Sequence, residues 1–350
     1  MPNIPADALR AYTTAITEAA GTPRDLAEIV ANSLVDANLA GHDSHGVLRV
    51  PPYCATIDKG EILPGVRAHV IEHRKATAKI DGGWGWGQPA MHLAADAAIE
   101  CASQYGMGSA IVHNCYHIGR AAPYVEKVAR AGMFGLIMAN AGPMVAPYGG
   151  RERVMGTNPV AWAMPRAEGT PPLSFDIATA AIAGGKLQVA ISKELNIAPG
   201  LLVTKDGEPT VDPNDYFGGG AILPFGGHKG NGFNILAQML GVGLMGASGQ
   251  SFNGPPGVNG PTIIVLNIEF FTELESFIAE IEAQCDRISR SMPAEGFNSV
   301  LLPGELELLT EQERTRTGIP IPDSVWADIA ATAARFGVNH PAPEPVAASA

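Results

Sequence analysis

Basic residues and long apolar runs are both scarce in this chain. Only 23 lysines and arginines face 35 aspartates and glutamates over 350 residues, a formal charge of −12. A nucleic-acid binder needs basic surface to displace counterions from the phosphate backbone, so the balance argues against that class. The longest apolar stretch, Phe233 to Ala247, is broken by Asn234 and Gln238 and falls short of the ~20 residues of a membrane span. The first dozen residues carry Asp7 and no apolar core of a secretory signal. Cysteine is sparse too. Cys54, Cys101, Cys115 and Cys285 are far apart with no C-x-x-C pair, which suits free thiols in a reducing compartment rather than a disulfide framework. The expectation is a cytoplasmic protein with neither a nucleic-acid nor a membrane partner. Charged residues make up 17% and hydrophobic ones 46%, with 41 glycines and 28 prolines, the composition of an apolar, loop-rich globule. Its length suits two domains or one large one.

Apolar spacing predicts two helices in the first 40 residues. Leu9, Tyr12, Ile16 and Ala20 lie on one stripe, and Leu26, Ile29, Val30, Leu34 and Ala37 on another. Gly21 ends the first helix, Thr22 caps the second and Pro23 occupies its first turn. From about residue 75 short β-rich runs alternate with helices. Thr77–Ile80, Ser109–Val112, Phe134–Met138, Ala161–Met164 and Thr262–Leu266 read as strands. Met91–Gln104, Ala121–Ala131, Phe271–Met292 and Val325–Phe336 read as helices, and Phe233–Gly246 as a buried one. Asp206-Gly207 is a hairpin signal, and residues 341–350 are expected to be disordered.

Among the motifs, Gly241-Val242-Gly243-Leu244-Met245-Gly246 spells G-x-G-x-x-G, but no strand precedes it and no acidic residue follows at the required distance. A Rossmann fingerprint is therefore rejected in favour of glycines that permit close helix packing. His113 and His117 stand four apart, yet the strand-like Ile111-Val112 before them argues against a helical zinc pair. The polar cluster Gly41-His42-Asp43-Ser44-His45-Gly46 has no hydrophobic reason to exist. A helical turn from Ser44 would set His45 and Arg49 on one face, with Pro51-Pro52 limiting its run. That pairs a group able to exchange a proton near neutral pH with a guanidinium fork suited to a carboxylate. Gly226-Gly227-His228-Lys229-Gly230 opens a helix, and its backbone N–H groups with Lys229 make a natural anion site.

Taken in order along the chain, these segments resemble the type-2 malate/L-lactate dehydrogenase family, which includes ureidoglycolate and sulfolactate dehydrogenases and piperideine-2-carboxylate reductases. The matching stretches are Asp43–Arg49, His117–Ala121, Met144–Gly150, Gly156–Pro159, Phe175–Thr179, Gly185-Lys186, Leu223–Gly230 and Pro303–Glu305. The resemblance implies an α/β, non-Rossmann NAD(P)-binding fold and a homodimer with its active site near the subunit contact. It also implies a mostly helical domain from both chain ends (residues 1–75 and 286–340) around a cofactor domain (76–285). The implied activity is hydride transfer between NAD or NADP and a small 2-hydroxy or 2-keto acid, with a cyclic-imine reductase as the sibling reading.

Carried over by position, Ser44 and His45 match the family's Ser-His pair, and Arg49 matches the clamp on the substrate carboxylate. His117 matches the proton acceptor of the ureidoglycolate branch, so two histidines compete for the acid/base role. Thr157 matches a substrate contact. Cofactor contacts are implied for His117, Ile118, Gly119, Arg120 and Ala121, for Asp176, Ile177 and Ala178, for His228 and Lys229, and for Gly304 and Glu305. No metal is implied. Lys186 stands where the imine-reducing branch resembles an aspartate-bearing pattern; lysine fits the hydroxyacid dehydrogenases, where a cation can stabilise alkoxide charge. Asn231 replaces a tyrosine common in the family. A histidine of ordinary pKa, ~6.5, would make the rate depend on protonation near neutrality.

Overall fold

The computed structural model describes residues 1–244, 258–338 and 342–346. After β1 (Asn3–Ile4), the predicted stripes become α1 (Ala6–Ala19) and α2 (Arg24–Leu39), burying Leu9, Tyr12 and Ile16 against Leu26, Val30 and Leu34. Thr22 does not cap α2. Pro23 takes that position, and the Thr22 hydroxyl instead accepts the Trp86 indole N–H at 3.0 Å. Two single 3₁₀ turns, Asp43–His45 and Val47–Arg49, run into α3 (Val50–Asp58). Pro51 and Pro52 open α3 rather than end a helix, because a first turn needs no N–H from them.

The middle of the chain alternates β2 (His69–Arg74), β3 (Thr77–Asp81), α4 (Gly87–Tyr105), β4 (Met107–His113), α5 (Ala122–Arg130), β5 (Met133–Ala139), β6 (Pro159–Met164) and β7 (Leu173–Ala178). A small lobe follows, with α6 (Gly184–Ser192), β8 (Leu202–Val203), β9 (Pro209–Thr210), α7 (Asn214–Phe217) and β10 (Ala221–Ile222). Then come α8 (His228–Gly243), β11 (Pro261–Asn267), α9 (Leu274–Ser289), α10 (Glu305–Thr317), β12 (Ile319–Pro320) and α11 (Asp323–Arg335). The sequence pattern missed β2, β7 and α10. The last of these is Glu/Arg-rich with no buried residue, so it offers no apolar stripe to read.

Among the described residues the main sheet has seven strands in the order β2-β3-β4-β11-β5-β6-β7, parallel only between β3 and β4. This is a mixed, mostly antiparallel sheet, not the doubly wound parallel sheet of a Rossmann domain. Adjacent strand residues face opposite ways. Ile137 accordingly joins Met91, Val112 and Val125 in the core under α4 and α5, while Met138 meets Ala237 of α8 on the other face. Gly241 lets α8 lie against the strand ends: a Cβ there would come 2.6 Å from Asn140 Oδ1. Met245 and Gly246, the end of the G-x-G-x-x-G run, lie outside the described residues.

The reading of Phe233–Gly246 as a buried helix needs correction. The helix begins five residues earlier, at His228, and its buried positions are Gly230, Asn234, Ala237, Gln238 and Gly241. Phe233 is 50% exposed and Met239 63%, with Leu236 also exposed. Small and polar residues face inward here because Asn158 Nδ2 donates to Asn234 Oδ1 at 2.7 Å and to Gln238 Oε1 at 2.8 Å.

The two chain ends meet. β1 pairs antiparallel with β12, and Ile4, Leu9, Val47, Tyr53, Ile319 and Ile329 share one apolar cluster. β2 joins the main sheet, and α9 runs through residue 285. Of the tail expected to be disordered, Val346 donates its N–H to Asn3 O at 2.7 Å; residues 347–350 lie outside the described residues. No described helix is long and apolar enough to cross a membrane.

Candidate active site

The polar cluster after α2 is held in shape from two sides. Asn38 Oδ1 accepts the Val47 N–H at 2.8 Å, and its Nδ2 donates to Asp43 Oδ1 at 2.7 Å. Arg314 of α10 grips both Asp43 oxygens, at 2.6 and 3.1 Å. The segment passes so close to Asn38 that a Cβ on Gly46 would sit 2.2 Å from its amide oxygen. These bonds break the expected helical turn into two. Arg49 therefore does not stack one turn beyond His45; its Nε reaches back to donate to Ser44 O at 2.7 Å. Within the described residues that is its one side-chain bond, which leaves both Nη groups for an anion.

Ser44 Oγ lies 3.0 Å from His45 Nδ1, and the His45 ring stacks on His117 at 5.5 Å with 22° between planes. His117 follows β4 in a loop, so His113 and His117 do not share a helical face. No described group of three or more metal-ligating side chains is placed to hold a metal ion. His117 Nδ1 is 2.6 Å from the hydroxyl of Tyr53 on α3. Tyr53 is 5% exposed and packs edge-on against Trp86 and Tyr116. Sequence reasoning missed Tyr53, although it stands four residues after Arg49 in a helix that Pro51-Pro52 would start.

Neither histidine keeps an ordinary pKa. Burial, then the charge of Arg49, then His42 and Arg120, lowers His45 to about 3. Burial, Arg49 and His45 push His117 well below its usual value. Both rings are neutral at pH 7 in this state, which corrects the expectation of titration near 6.5. Burial raises the Tyr53 phenol well above its usual value.

The other expected residues fall into three places. Gly185 brings the start of α6 over the Ser-His pair, with a Cβ there lying 3.5 Å from Ser44 Cβ; Lys186, next along, is exposed. Thr157 O accepts the backbone N–H of Thr179 at 2.8 Å and its hydroxyl at 3.0 Å, tying the Gly156–Pro159 turn to the end of β7. Arg120, Asp176 and Ile177 line a hollow of about 310 Å³ with Gly304 and Glu307. Ala178 instead packs toward the small lobe. The Arg120 Nε is buried without a partner among the described residues, while burial raises Asp176 against the pull of Arg120 and the backbone N–H groups of Ala122 and Ala121.

Some cofactor contacts expected from side chains are not available as such. Ile118 and Ala121 point into the sheet core, Asp176 Oδ2 is engaged by the Ala121 and Ala122 N–H groups at 2.8 Å, and Glu305 accepts the Leu302 N–H at 2.7 Å. Asp176 thereby closes the start of α5 and Glu305 the turn before α10, while Ile118 and Ala121 fill the core. Gly119 lies over Ser33 and Gln88. His228 and Lys229 are exposed at the start of α8, and the residues just before them, Gly226-Gly227, line a second hollow of about 390 Å³ with Tyr148 and Leu223. The Gly230 position of that turn admits no side chain, since a Cβ would fall 1.9 Å from Phe225 O. Asn231 accepts the Tyr148 N–H at 2.9 Å and so fixes the loop facing His228.

The arrangement joins an unspent guanidinium to two neutral proton acceptors. Residues 4–330 match the family model for malate/L-lactate dehydrogenase. The L-sulfolactate dehydrogenase of Methanocaldococcus jannaschii is 36% identical, over 91% of this chain and 93% of that protein. The Δ1-pyrroline-2-carboxylate/Δ1-piperideine-2-carboxylate reductase of Pseudomonas putida is 33% identical over 75% of this chain and 79% of its own. The solved malate dehydrogenase of Pyrococcus horikoshii superposes with a TM-score of 0.87 at 34% identity, covering 96% of each chain. With two histidines and an arginine converging from turns beside a non-Rossmann sheet, and a match over nearly its whole length, this chain belongs to the malate/L-lactate dehydrogenase family.

Proposed function

We propose that the protein interconverts a small 2-hydroxy acid and its 2-keto acid, using NAD or NADP. The observation that carries this reading is the stacked His45–His117 pair beside Arg49, whose Nη groups are unengaged within the described residues. Arg49 binds the substrate carboxylate with a bidentate fork. In the oxidative direction a neutral histidine takes the hydroxyl proton, and burial already keeps both rings neutral. In the reductive direction the same ring must be protonated. A carboxylate on Arg49 cancels the charge that helps hold both histidines down, so substrate binding itself raises the ring's proton affinity. His117 is assigned the acid/base role, with His45, oriented by Ser44, beside it, and Thr157 at the substrate edge. Lys186, on the α6 start above Ser44, adds positive charge where an alkoxide develops.

The residues fit a nicotinamide dinucleotide. Arg120, whose buried Nε has no partner among the described residues, the Asp176–Ala178 strand end and the Gly304–Glu305 turn would hold one part, and the His228–Lys229 turn would hold an anionic part. When bound, the nicotinamide supplies or accepts the hydride. The exposed Phe233, Leu236 and Met239 of α8 suit a second copy of the chain, so the working unit is taken as a homodimer in the cytoplasm.

Absorbance of NADH and NADPH, followed against pyruvate, oxaloacetate and piperideine-2-carboxylate, tests the reaction. Turnover of a keto acid supports this reading; turnover of the imine alone replaces it with the reductase reading. No turnover of any of them rejects both.

A further inference from the structure

Behind the histidine pair lies a buried amide with one unused end. Gln88, wholly buried at the start of α4, sends Nε2 to the Tyr53 hydroxyl at 3.3 Å, while its Oε1 has no partner among the described residues. The same hydroxyl is 2.6 Å from His117 Nδ1. A phenol carries one proton, so the row Gln88–Tyr53–His117 can be wired in two ways.

With the amide N–H donating to Tyr53, the phenol donates to Nδ1, and a neutral His117 carries its proton on Nε2. That ring can neither take a hydroxyl proton at Nε2 nor release one without becoming an imidazolate. With the amide turned over, Oε1 accepts the phenol proton and the phenol oxygen accepts from Nδ1–H. Nε2 is then bare in the neutral ring and protonated in the imidazolium, the two forms an acid/base needs. Either orientation leaves one end of the amide unpaired, and an amide's O and N occupy nearly the same positions, so the turned amide fits the same space.

We propose that Gln88, acting through Tyr53, is a positioning residue that selects the tautomer of His117, switching it between an idle and a working state. This rests on the reading of His117 as the acid/base. The charged and titratable groups facing His117 are Arg49 and His45 from the two 3₁₀ turns and Tyr53 from α3; Gln88 is the uncharged member that can change the wiring without changing the charge.

The test uses full-length protein labelled with ¹⁵N-histidine, reading the ring-nitrogen shifts of His117 alongside pH–rate profiles. Gln88→Glu can only accept from Tyr53 when ionised, so it should fix the proton on Nδ1 and raise the kinetic pKa. Gln88→Met leaves the phenol free to donate to Nδ1 and removes the acceptor that the working state needs; it should hold the proton on Nε2 and lower kcat about tenfold or more, with KM unchanged. Tyr53→Phe, which keeps the ring packing, should remove the acceptor of the imidazolium and lower the kinetic pKa. Opposite shifts from Gln88→Glu and Tyr53→Phe are not what a packing defect produces. The same His117 tautomer in Gln88→Glu and in Gln88→Met, in folded protein, overturns the proposal, and so do pH profiles that shift the same way in all variants. If His117→Ala keeps wild-type kcat, the acid/base assignment fails instead, while the ring-nitrogen shifts still decide whether the relay exists.

Discussion

The turn bearing Ser44, His45 and Arg49 and the turn bearing His228 and Lys229 are both polar, glycine-containing and joined to a helix, yet the fold holds them differently. The first is tied to α2 through Asn38 and to α10 through the Arg314–Asp43 fork, and its own arginine closes onto Ser44 O. The second carries His228 and Lys229 exposed, held by the Tyr148 N–H on Asn231 Oδ1 and the Phe225 N–H on Thr179 O, with the Tyr148 and His228 ring centroids 6.0 Å apart. Groups that must meet a reacting atom have to be set within a fraction of an ångström beforehand, whereas a phosphate site can be completed by backbone N–H groups as the ligand arrives. The difference marks the first wall for chemistry and the second for binding.

The largest test of that division is at the histidines. His117→Ala should lower kcat by ~10²-fold or more while NADH still binds, whereas His45→Ala should give the milder loss. Stopped-flow turnover with a fluorescence titration of NADH separates the two, and equal small losses in kcat would reverse the assignment of this wall. Next in size is Arg49→Lys, which keeps the charge and loses the fork. KM for 2-keto acids should rise about tenfold, the cost of a lost charge-assisted bond; an unchanged KM would remove Arg49 from the carboxylate. Arg314→Met acts from outside the pocket. It should lower stability by about 1 kcal/mol, since Asp43 remains partly exposed, and lower kcat without touching the substrate. Thermal melts with steady-state rates measure both.

Much of this was legible before the coordinates, and the failures have physical causes. Helices with one apolar stripe, such as α1, α2 and α11, and the strands β3, β4, β5, β6 and β11 of the main sheet could be read from the sequence pattern. α8 could not, because hydrogen bonds to Asn158 turned its Asn234 and Gln238 inward and its phenylalanine and methionine outward. Residue types identified Ser44, His45 and Arg49, but not that Asn38 would split their helix. Position-matching named Ile118, Ala121 and Glu305 without revealing that their side chains serve the fold. Tyr53 and Gln88 carry no motif; only the packing of α3 against α4 brings them to His117.

Acid should expose the histidine wall as a stability cost. Both rings have folded-state pKa values below the unfolded ~6.5, so the unfolded chain binds more protons as pH falls beneath that value. Stability present above pH ~6.5 is then lost on the way down toward about 3, where His45 itself protonates, by at most about 1.4 kcal/mol per pH unit for each ring. Denaturant titrations across this range should show the slope reduced in His45→Gln and again in the double variant with His117→Gln. A slope unchanged by both would mean the rings are not held neutral.

The smallest effect belongs to the exposed wall. Lys229→Ala removes one cation from a turn whose backbone N–H groups remain, since Gly226, Gly227 and Gly230 keep its shape. A single exposed charge contributes little and is screened by salt, so the Kd for NADH should rise only a few-fold, more at low ionic strength than at high. KM for the keto acid and the His117 pH profile should stay where they are, because nothing in this turn is bonded to the first wall. Fluorescence titration at two salt concentrations reads the shift directly. A Kd that does not move at low salt removes Lys229 from the cofactor site. A kcat that falls along with it shows that the two walls are coupled, and the division between a chemical wall and a binding wall would then have to be abandoned.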